Sequence, residues 1–412
     1  MKYGLIGEKL GHSFSKEIHK RLGDYSYELC ELRRDELRAF FEKRDFDGIN
    51  VTIPYKSEVI PYLDEIDEAA AKIGAVNTVV KRDGRLIGYN TDVFGMLALA
   101  AHAGISLAGR KVAVLGTGGT SKTAVAAATE SGAREIICVS RTPSGGDVGY
   151  DELYRAHGDT EVIINTTPVG MYPASEGCPV ITDRLPCLLG VIDAVYNPLR
   201  TALVLSARER GIAAEGGLYM LVAQGVRASE LFFGKNYPPG TVERVYREIS
   251  REKENIVLIG MPSSGKTSVG EYVAKALCRE LIDTDREIVR TAGRDIPDIF
   301  SELGEEGFRD AESAAIEEAA SLGGRVIATG GGAVLREENL AALRKTGKIY
   351  FIDRPLGMLI PTSDRPLSKT REDIEKRYRE RYPIYTKAAD VHIDGSGSVA
   401  EVGEKIIKEF CK

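Results

Sequence analysis

The sequence lacks the patterns that mark membrane-spanning and secreted proteins. No apolar run approaches the roughly 18 residues that a membrane helix needs, and the chain goes straight into a strand-like run, Lys2 to Ile6, with no signal-peptide pattern. Six scattered cysteines form no C-x-x-C pair, and the five histidines show no metal-ligand spacing. We therefore expect reduced cysteines, a cytoplasmic location and no cysteine or histidine metal site.

The chain also lacks a large excess of charge of either sign. The net charge is −6 over 412 residues, and no tract suited to nucleic acid stands out. We therefore expect no nucleic-acid partner. The further expectations for partners are small-molecule substrates, no membrane, and a monomer or homodimer. With 43% hydrophobic residues, a chain of this length predicts two or three domains with well-buried cores.

A glycine-rich phosphate loop is the strongest motif that is present. Residues 260–267 read Gly-Met-Pro-Ser-Ser-Gly-Lys-Thr and fit G-x-x-x-x-G-K-[ST] at every fixed position. The apolar run Asn255 to Ile259 predicts a buried strand before it, and Thr267 to Leu277 has helical periodicity after it. Such a loop binds phosphate through backbone N–H groups and the helix N-terminus. Lys266 can reach the outer phosphates and the Thr267 hydroxyl can ligate magnesium, which predicts binding of ATP with Mg²⁺.

Strand-like runs alternate with helical patterns along nearly the whole chain, which predicts an α/β architecture. In the first segment, which runs to about Phe94, the pattern predicts a helix from Arg34 to Arg44. It also predicts a hairpin closed by Asp83-Gly84. The expected strands are Lys2–Ile6, Ser26–Glu31, Gly48–Thr52, Thr78–Arg82 and Arg85–Tyr89.

Polar clusters in this segment lie at the ends of predicted strands or just before a helix. Ser13 and Ser15 can present two hydroxyls to one polyhydroxylated ligand, although Ser15 is also a candidate helix cap. Lys56 could instead be an ordinary surface lysine. Asp92 could instead cap the next helix. Because α/β proteins bind ligands at the carboxyl ends of strands, the clusters together indicate a binding site. They are Gly11–Ser15, Asn50–Lys56, Gly74–Thr78 and Gly88–Asp92.

A second segment begins near Lys111 with a buried-strand pattern, a glycine-rich turn and an alanine-rich helix to Ser131. The turn, Gly116 to Ser121, suits a dinucleotide pyrophosphate but lacks the third glycine of G-x-G-x-x-G. The next strand, Glu135 to Ser140, ends without the acid that would bind a 2′-hydroxyl. Arg141 stands there and can pair with a 2′-phosphate, which favours NADP over NAD. A surface arginine is the alternative.

The remaining patterns divide the chain into domains. A long helix is expected from Leu218 to Phe233, and a Pro-Pro-Gly break at residues 238–240 leads into the charged, helix-prone run Thr241 to Glu254, a pattern typical of a semi-rigid spacer. The expected division is an α/β substrate-binding domain (1–94, completed by a helix over 217–235), a Rossmann-like NADP-binding domain (95–216), a linker (236–254) and a P-loop domain similar to the nucleoside monophosphate kinases (255–412).

Residues 1 to about 245 resemble shikimate dehydrogenase, with the family's motifs in the family's order. The family usually has a proline where this chain has Lys9, and often an asparagine where it has Ser140. The resemblance rests on His12–Ser15, Asn50–Lys56, Gly74–Thr78, Asn90–Asp92, the glycine loop, Asn165–Met171 and Met220–Gln224.

The resemblance implies NADPH-dependent reduction of 3-dehydroshikimate to shikimate, with Lys56 and Asp92 as the catalytic pair. Negative charge develops on the substrate oxygen and needs a positioned proton donor, and the choice between these two residues stays open. The implied substrate contacts are Ser13, Ser15, Thr52, Asn77, Tyr196 and Gln224. The implied cofactor contacts are Gly116, Gly118, Gly119, Thr120, Ser140, Arg141, Thr142 and Gly217, with Arg141 and Thr142 at the 2′-phosphate.

Residues 255–412 resemble shikimate kinase, and the order of their motifs sets that family apart from other small P-loop kinases. The resemblance implies that ATP and magnesium serve to phosphorylate the C3 hydroxyl of shikimate. Beside the phosphate loop, the matching motifs are Asp283–Asp285, Gly307–Arg309, Thr329–Gly332, Asp364–Pro366 and Arg381–Tyr385.

Arginines and carboxylates carry the implied substrate chemistry of this half. Arg309 and Arg381 offer planar forks for the carboxylate of shikimate, although Arg381 also lies in a basic run, Lys376 to Arg381, that is typical of a solvated helix face. Asp285 can accept the hydroxyl hydrogen. Glu312 is either a partner of Arg309 or one half of an i,i+3 surface pair.

A lid is expected over Pro361 to Lys369, and its closure would place Arg365 over the phosphates and exclude water. Lys266, Asp285 and Arg365 are the implied catalytic residues. Gly331 and Gly332 let the backbone approach the substrate closely. The implied nucleotide contacts are Gly260, Ser263, Ser264, Gly265, Lys266 and Thr267, and the implied magnesium contacts are Thr267 and Asp283.

Together these features predict a bifunctional enzyme that reduces 3-dehydroshikimate and then phosphorylates the shikimate formed. One alternative is that the first half uses quinate, alone or with shikimate. A second alternative is that one half binds ligands as a regulatory module without turnover. Intact Lys56, Asp92, Lys266 and Asp285 argue against the second alternative.

Overall fold

The computed structural model describes residues 2–11, 13–360 and 370–412. The chain forms two compact units, Met1–Ile249 and Ser250–Lys412. The expected α/β architecture is confirmed, because both units consist of helices packed on largely parallel sheets. Within the described residues, no helix is both long enough and apolar enough to cross a membrane.

The first unit contains two sheets and nine helices among its described residues. Its strands are β1 (Tyr3–Gly7), β2 (Tyr27–Glu31), β3 (Gly48–Val51), β4 (Glu65–Ile66), β5 (Thr78–Arg82), β6 (Arg85–Tyr89), β7 (Lys111–Leu115), β8 (Glu135–Val139), β9 (Val162–Asn165), β10 (Gly190–Asp193) and β11 (Ala213–Glu215). Its helices are α1 (Ser15–Leu22), α2 (Leu37–Lys43), α3 (Glu68–Ile73), α4 (Asp92–His102), α5 (Gly119–Glu130), α6 (Tyr150–Ala156), α7 (Ala202–Glu209), α8 (Leu218–Phe233) and α9 (Thr241–Lys253).

The first sheet is mixed and has the strand order β2-β1-β3-β5-β6-β4. β1 pairs in parallel with β2 and β3, whereas β5 runs antiparallel to both β3 and β6. The expected hairpin between β5 and β6 is confirmed. Asp83 and Gly84 have φ of 51° and 78°, and two consecutive positive φ values characterise the type I′ turn that matches the twist of paired strands.

The second sheet is fully parallel, with the order β11-β10-β9-β7-β8. Its interior strand β7, which lies between β9 and β8, is buried on both faces. Val112 and Val114 lie in one apolar cluster and Ala113 and Leu115 in another. Alternate side chains of a strand point to opposite faces, so helices cover both sides of this sheet. Its carboxyl edge is therefore the open edge where a ligand can bind.

The helix expected as part of a linker belongs to the core instead. Val245 and Ile249 of α9 are fully buried in a cluster with Ile18, Leu218 and Val222. The boundary of the first unit follows Ile249, so the expected linker over residues 236–254 differs from the structure. Thr241, Val245 and Ile249, spaced four residues apart, form the buried stripe of an otherwise charged helix.

The second unit contains one parallel sheet with the order β13-β14-β12-β15-β16. Its strands are β12 (Asn255–Ile259), β13 (Leu281–Asp283), β14 (Val326–Ala328), β15 (Gly347–Asp353) and β16 (Val391–Asp394). Its helices are α10 (Lys266–Ala276), α11 (Thr284–Ala292), α12 (Ile296–Ser321, kinked at Gly304), α13 (Glu337–Thr346), α14 (Arg371–Ala388) and α15 (Val399–Phe410).

Helices cover both faces of this third sheet as well. Ile256 and Leu258 of the central strand β12 lie in one core cluster, and Val257 and Ile259 lie in the other. The carboxyl ends of β12, β13 and β14 lead directly into the phosphate loop, into Asp283–Asp285 and into the run of glycines after Thr329. The fold therefore gathers the expected kinase motifs at one edge.

Candidate active sites

Strand register brings three of the predicted residues of the first unit together. β3 and β5 are antiparallel and pair Asn50 with Thr78, so the end of β3 lies beside the start of β5. β6 returns antiparallel and pairs Tyr89 with Thr78. The loops that carry Lys56, Asn77 and Asp92 therefore meet at one point of the sheet edge.

Lys56 and Asp92 form a close ion pair in this place. Nζ of Lys56 donates to Oδ2 of Asp92 across 2.6 Å, and the two side chains are 17% and 9% exposed. This burial contradicts the alternative of an ordinary surface lysine. Thr91 rather than Asp92 occupies the cap position of α4, which also contradicts the capping role for Asp92.

A buried amide network fixes the second oxygen of Asp92. Asn77 donates from Nδ2 to Oδ1 of Asp92 at 2.8 Å and accepts at Oδ1 from the backbone N–H of Thr91, also at 2.8 Å. Asn50 donates to Oγ1 of Thr78 at 3.1 Å and accepts from the hydroxyl of Tyr27 at 2.7 Å. Both oxygens of Asp92 are thus occupied by donors, which keeps this group a hydrogen-bond acceptor.

The other predicted substrate contacts form two further groups, one around Ser13 and Ser15 and one that includes Gln224. The hydroxyls of Ser13 and Ser15 are 3.1 Å apart. Ser15 is the first residue of α1 and not its cap, since Phe14 holds the cap position. The ring of Phe14 packs edge-on against Tyr196 at 5.2 Å, which places Tyr196 beside the two serines. Gln224 on α8 accepts a long bond from Thr91 at 3.5 Å.

Thr52 follows the last residue of β3 and is half-buried. Its methyl group occupies the space beside Gly7, where an added Cβ would lie 2.6 Å away. Its backbone N–H donates to the carbonyl of Ile6 at 3.0 Å. The strand end that carries Thr52 is therefore held against the end of β1.

The glycine-rich turn of the second sheet is open on the side of the helix N-terminus. A Cβ on Gly118 or Gly119 would meet nothing within 4 Å. Gly116 has φ of 104° and packs against Thr166, a conformation that favours glycine. The first turn of α5, which includes Thr120, carries no acidic residue. This turn fits a bound pyrophosphate, since helix N-terminal N–H groups face an unobstructed space.

Arg141 and Thr142 lie exposed just beyond the end of β8. The nearly buried Ser140 accepts a hydrogen bond from the N–H of Thr142 at 3.2 Å, so this serine shapes the turn. No ion pair to Arg141 occurs within the part of the chain that the structure describes. Its guanidinium therefore faces solvent, at the position expected for a 2′-phosphate.

The loop after β9 and the end of β10 share a buried carboxylate. Oδ1 of Asp193 accepts from Nδ2 of Asn165 at 2.9 Å, and Oδ2 accepts from the hydroxyl of Thr201 at 2.6 Å. Asn165 in turn accepts from the N–H and the hydroxyl of Thr167. Burial raises the pKa of Asp193 to about 6, against the lowering effect of these donors.

The structure explains why residue 217 is a glycine, in addition to the cofactor contact that the resemblance implies. A Cβ at this position would lie 2.3 Å from the carbonyl oxygen of Ala194, closer than any real contact. Its N–H donates to Val195 at 2.8 Å. A larger residue here would push α8 away from the end of β10.

The phosphate loop of the second unit has the expected shape. Gly260, Ser263 and Gly265 all have positive φ, which turns successive N–H groups inward. Lys266 is nearly buried, and its Nζ donates to the carbonyls of Gly260 and Met261 at 2.8 and 3.0 Å. The hydroxyl of Ser264 is buried without a hydrogen-bond partner among the atoms that the structure describes.

Thr267 and Asp283 fit the metal that the phosphate loop implies. Oγ1 of Thr267 donates to Oδ2 of Asp283 across 2.6 Å, so a hydroxyl and a carboxylate oxygen converge beside the loop. Magnesium is usually held by one or two protein oxygens together with substrate phosphates and water. Oδ1 of Asp283 accepts from the N–H groups of Asp285 and Arg286, which fixes the carboxylate.

The glycines after β14 pass between the charged residues of the predicted substrate site. A Cβ on Gly330 would lie 2.5 Å from Oε1 of Glu312 and 2.6 Å from Oδ1 of Asp285. A Cβ on Gly332 would lie 1.9 Å from Nη1 of Arg309. The backbone at these positions is therefore enclosed by side chains, and the three charged residues face one another across it.

The buried acid beside Arg309 is a partner and not a surface pair. Nη1 of Arg309 donates to Oε2 of Glu312 at 2.5 Å, and the carboxylate is 1% exposed. Burial raises the pKa of Glu312, the charge of Arg309 opposes that rise, and the nearby Asp285 adds to it. The i,i+3 surface alternative is wrong because these residues lie on the inner face of α12.

Arg381 also lies inside the site. Its Nη1 donates to the carbonyl of Gly331 at 2.8 Å, and Tyr385 donates to the same oxygen at 2.5 Å. Burial raises the pKa of Tyr385 to about 12. The alternative of a solvated helix face is therefore wrong for Arg381, which is 8% exposed. Arg365 and the expected lid over residues 361–369 lie outside the described residues.

Several residues that complete these sites have no role that the sequence alone assigns. The sequence places Asn50, Thr91 and Tyr385 in longer motifs but gives none of them an individual role. Their buried partners lie far away in the sequence, so no local pattern identifies their bonds. Arg377, one helical turn before Arg381, stands only as part of a basic run.

Comparison with known families matches each unit separately. The family model described as shikimate dehydrogenase substrate binding domain matches residues 5–79, and the one described as shikimate kinase matches residues 262–411. A shikimate dehydrogenase (NADP(+)) from Clostridium perfringens (strain 13 / Type A) is 36% identical over 264 residues, which cover 60% of this chain and 97% of that relative.

Solved structures are similar over the same 60% of the chain. A chorismate mutase/shikimate 5-dehydrogenase fusion protein from Clostridium acetobutylicum matches with 35% identity and a TM-score of 0.57, covering 96% of that chain. A shikimate 5-dehydrogenase from Thermus thermophilus, solved in complex with NADP(H) and shikimate, matches with 31% identity and a TM-score of 0.55, covering 99% of that chain.

Proposed function

We propose, because this chain belongs to the shikimate dehydrogenase family in its N-terminal part and carries a shikimate kinase domain after it, that one polypeptide catalyses two successive reactions. The first unit reduces 3-dehydroshikimate to shikimate with NADPH. The second unit transfers the terminal phosphoryl group of ATP to the C3 hydroxyl of shikimate. The observation that carries this proposal is that each unit gathers charged residues of its own at one sheet edge, Lys56 with Asp92 in the first unit and Asp285 with Arg309 and Glu312 in the second.

In the reduction, NADPH supplies the hydride when it is bound. The chain itself must supply a proton to the oxygen formed from the C3 ketone. Both oxygens of Asp92 already accept hydrogen bonds, one from Lys56 and one from Asn77. We therefore assign the donated proton to Nζ of Lys56, and Asp92 holds the ammonium group in position. Ser13 and Ser15 bind the substrate at the adjacent loop.

Arg141 and Thr142 bind the 2′-phosphate of the cofactor in this proposal. An exposed guanidinium at the end of β8, with no acid beside it, matches the charge of that phosphate. Gly116, Gly118 and Gly119 leave room for the pyrophosphate at the start of α5.

In the phosphorylation, ATP with magnesium supplies the phosphoryl group and the neutralising charge when bound. Thr267 and Asp283 would hold the metal, because their oxygens already converge. Lys266 moves from the loop carbonyls to the outer phosphates, and Asp285 accepts the proton of the attacking hydroxyl. Arg309 and Arg381 bind the carboxylate of shikimate from the two sides of Gly331 and Gly332.

The experiment is a coupled turnover test on the full chain. With 3-dehydroshikimate, NADPH, ATP and Mg²⁺, we expect shikimate 3-phosphate; without ATP, we expect shikimate. In Lys266→Ala, NADPH oxidation should continue while phosphorylation stops. If the parent protein forms shikimate but never its phosphate, the kinase assignment is wrong. Quinate in place of shikimate, assayed in the oxidative direction, tests the alternative substrate.

A further inference from the structure

Three of the four arginines of helix α14, namely Arg377, Arg379 and Arg381, differ in their environments. Arg379 is exposed, with 80% of its side chain in solvent. Its ion pair with Glu375 is long, with 4.0 Å between Nη2 of Arg379 and Oε2 of Glu375. Arg381 is buried and bound to the carbonyl of Gly331. Arg377 is half-buried and lies four residues before Arg381, which places both on the same face of the helix.

Arg377 has no hydrogen bond and no ion pair within the described ranges 2–11, 13–360 and 370–412. The cations Arg381 and Arg309 are both close enough to act on it. Burial, followed by the charge of Arg381, lowers the pKa of Arg377, and Asp373 and Glu305 oppose this from a greater distance than an ion pair. Arg377 is therefore a partly desolvated cation that shares its surroundings with two further cations, Arg381 and Arg309, and with two carboxylates that form no ion pair with it.

Because neither carboxylate pairs directly with Arg377, a further anion in contact with its guanidinium would stabilise this group of cations. Arg309 already has Glu312 and Glu305 as partners, and Arg381 has a backbone carbonyl. Arg377 has no such partner within the described ranges. Arg377 and Arg381 share one face of α14. An anion bound between Arg309 and Arg381 would therefore lie on the side of the helix that Arg377 faces.

We propose that Arg377 is a third guanidinium for the carboxylate of shikimate and determines specificity for the acid form of the substrate. The inference rests on the proposed shikimate kinase activity. The carboxylate is favoured over an ATP phosphate because the two arginines that act on Arg377, Arg309 and Arg381, are those that the proposed function places on the carboxylate. Nζ of Lys266, the cation of the phosphate loop, instead donates to the carbonyls of Gly260 and Met261.

The test compares Arg377→Gln with Arg379→Gln in the full chain. Both variants remove one positive charge from α14, and only the first removes it from the inner face. We expect KM for shikimate to rise about tenfold in Arg377→Gln, as for loss of a charge-assisted hydrogen bond, while KM for ATP stays within about twofold. Arg379→Gln should match the parent. Arg377→Lys keeps the charge without the fork and should give an intermediate KM.

A second substrate and a stability measurement separate binding from structure. The parent should prefer shikimate to its carboxamide, and Arg377→Gln should lose about tenfold of that preference. The Tm of the shikimate-free variant should equal or exceed that of the parent, because a repelling cation has gone. An unchanged KM for shikimate, or a rise in KM for ATP instead, would overturn the inference. A lower Tm with equal losses for acid and amide would also overturn it. A parent without shikimate phosphorylation would contradict the proposed function itself.

Discussion

Nζ of Lys56 lies 2.6 Å from Oδ2 of Asp92, in a pair that strand pairing builds from two distant loops. The carboxylate is buried and its other oxygen is bound by Asn77. This arrangement orients the ammonium group and leaves a single group of the pair able to donate a proton.

Lys56→Ala should reduce the rate of 3-dehydroshikimate reduction by about 100- to 10,000-fold, the usual effect of losing a general acid. Phosphorylation of supplied shikimate should be unchanged, since Lys56 lies in the other unit. Lys72→Ala is the matched control, because Lys72 is also paired with an acid but lies on the surface. Normal NADPH oxidation by Lys56→Ala would exclude this lysine as the proton donor.

Arg141→Asp should raise KM for NADPH on the order of 10- to 100-fold and leave KM for NADH nearly unchanged. The reason is that an acid at the end of β8 repels a 2′-phosphate and favours a 2′-hydroxyl. Arg155→Asp introduces the same charge change at another exposed position and serves as the control. Equal kcat/KM for the two cofactors in the parent protein would contradict the assignment.

Gly330→Ala should abolish most kinase activity through geometry alone. The new methyl group would lie within 2.6 Å of carboxylate oxygens of Glu312 and Asp285 and force both to move. Gly357→Ala, where a Cβ meets nothing within 4 Å, should have no effect. We expect kcat/KM for shikimate to fall by at least about 100-fold, the cost of displacing catalytic groups by about 1 Å. A fully active Gly330→Ala would show that these carboxylates tolerate displacement.

Asp193 should make the first unit less stable as pH rises. Its pKa of about 6 in the folded state lies above the 3.8 that is ordinary for an aspartate, so the folded state binds the extra proton between these values. Stability therefore falls from about pH 4 to pH 6 and is flat above, by on the order of 3 kcal/mol in total. Asp193→Asn imitates the protonated acid and should remove this slope.

The measurement is calorimetric unfolding of parent and Asp193→Asn from about pH 4.5 to 8, following the transition that NADPH shifts upward. The advantage of the variant should grow up to about pH 6 and then stay constant. Parallel curves for the two proteins would show that Asp193 does not titrate in this window.

Ile249→Ala should destabilise the first unit by about 2–5 kcal/mol, because Ile249 is fully buried in the cluster beneath α8. Arg247→Ala on the exposed face of the same helix should change stability by less than about 0.5 kcal/mol. The NADPH-shifted transition is again the readout. If both variants behaved alike, α9 would not be part of that core.

Local patterns predict the strands and loops of both sites well. The strands Thr78–Arg82, Arg85–Tyr89, Lys111–Leu115 and Asn255–Ile259 and the helix Leu218–Phe233 are confirmed at their predicted bounds. Each has a clear apolar period and a glycine or turn signal at its end. Such signals are local, so they identify each strand or helix before its distant partners in the fold are known.

Residues whose role depends on distant contacts cannot be predicted in the same way. In the sequence, Glu312 and Arg309 look like many exposed i,i+3 pairs, and only the packing of α12 and the glycine run makes them buried. Arg377 and Arg381 look like one basic surface, yet they face inward. In α9, the apolar stripe that Val245 and Ile249 form is difficult to recognise in the sequence because most of the other residues are charged or polar.

A single residue, Glu254, separates the end of α9 from the first residue of β12. Anyone who divides the gene at the Pro-Pro-Gly break would leave the dehydrogenase half without Val245 and Ile249 and expose the apolar surface they cover. That half should then aggregate, whereas a division at Glu254 keeps its core whole. The two activities can therefore be expressed apart only if the cut falls within a few residues of this position.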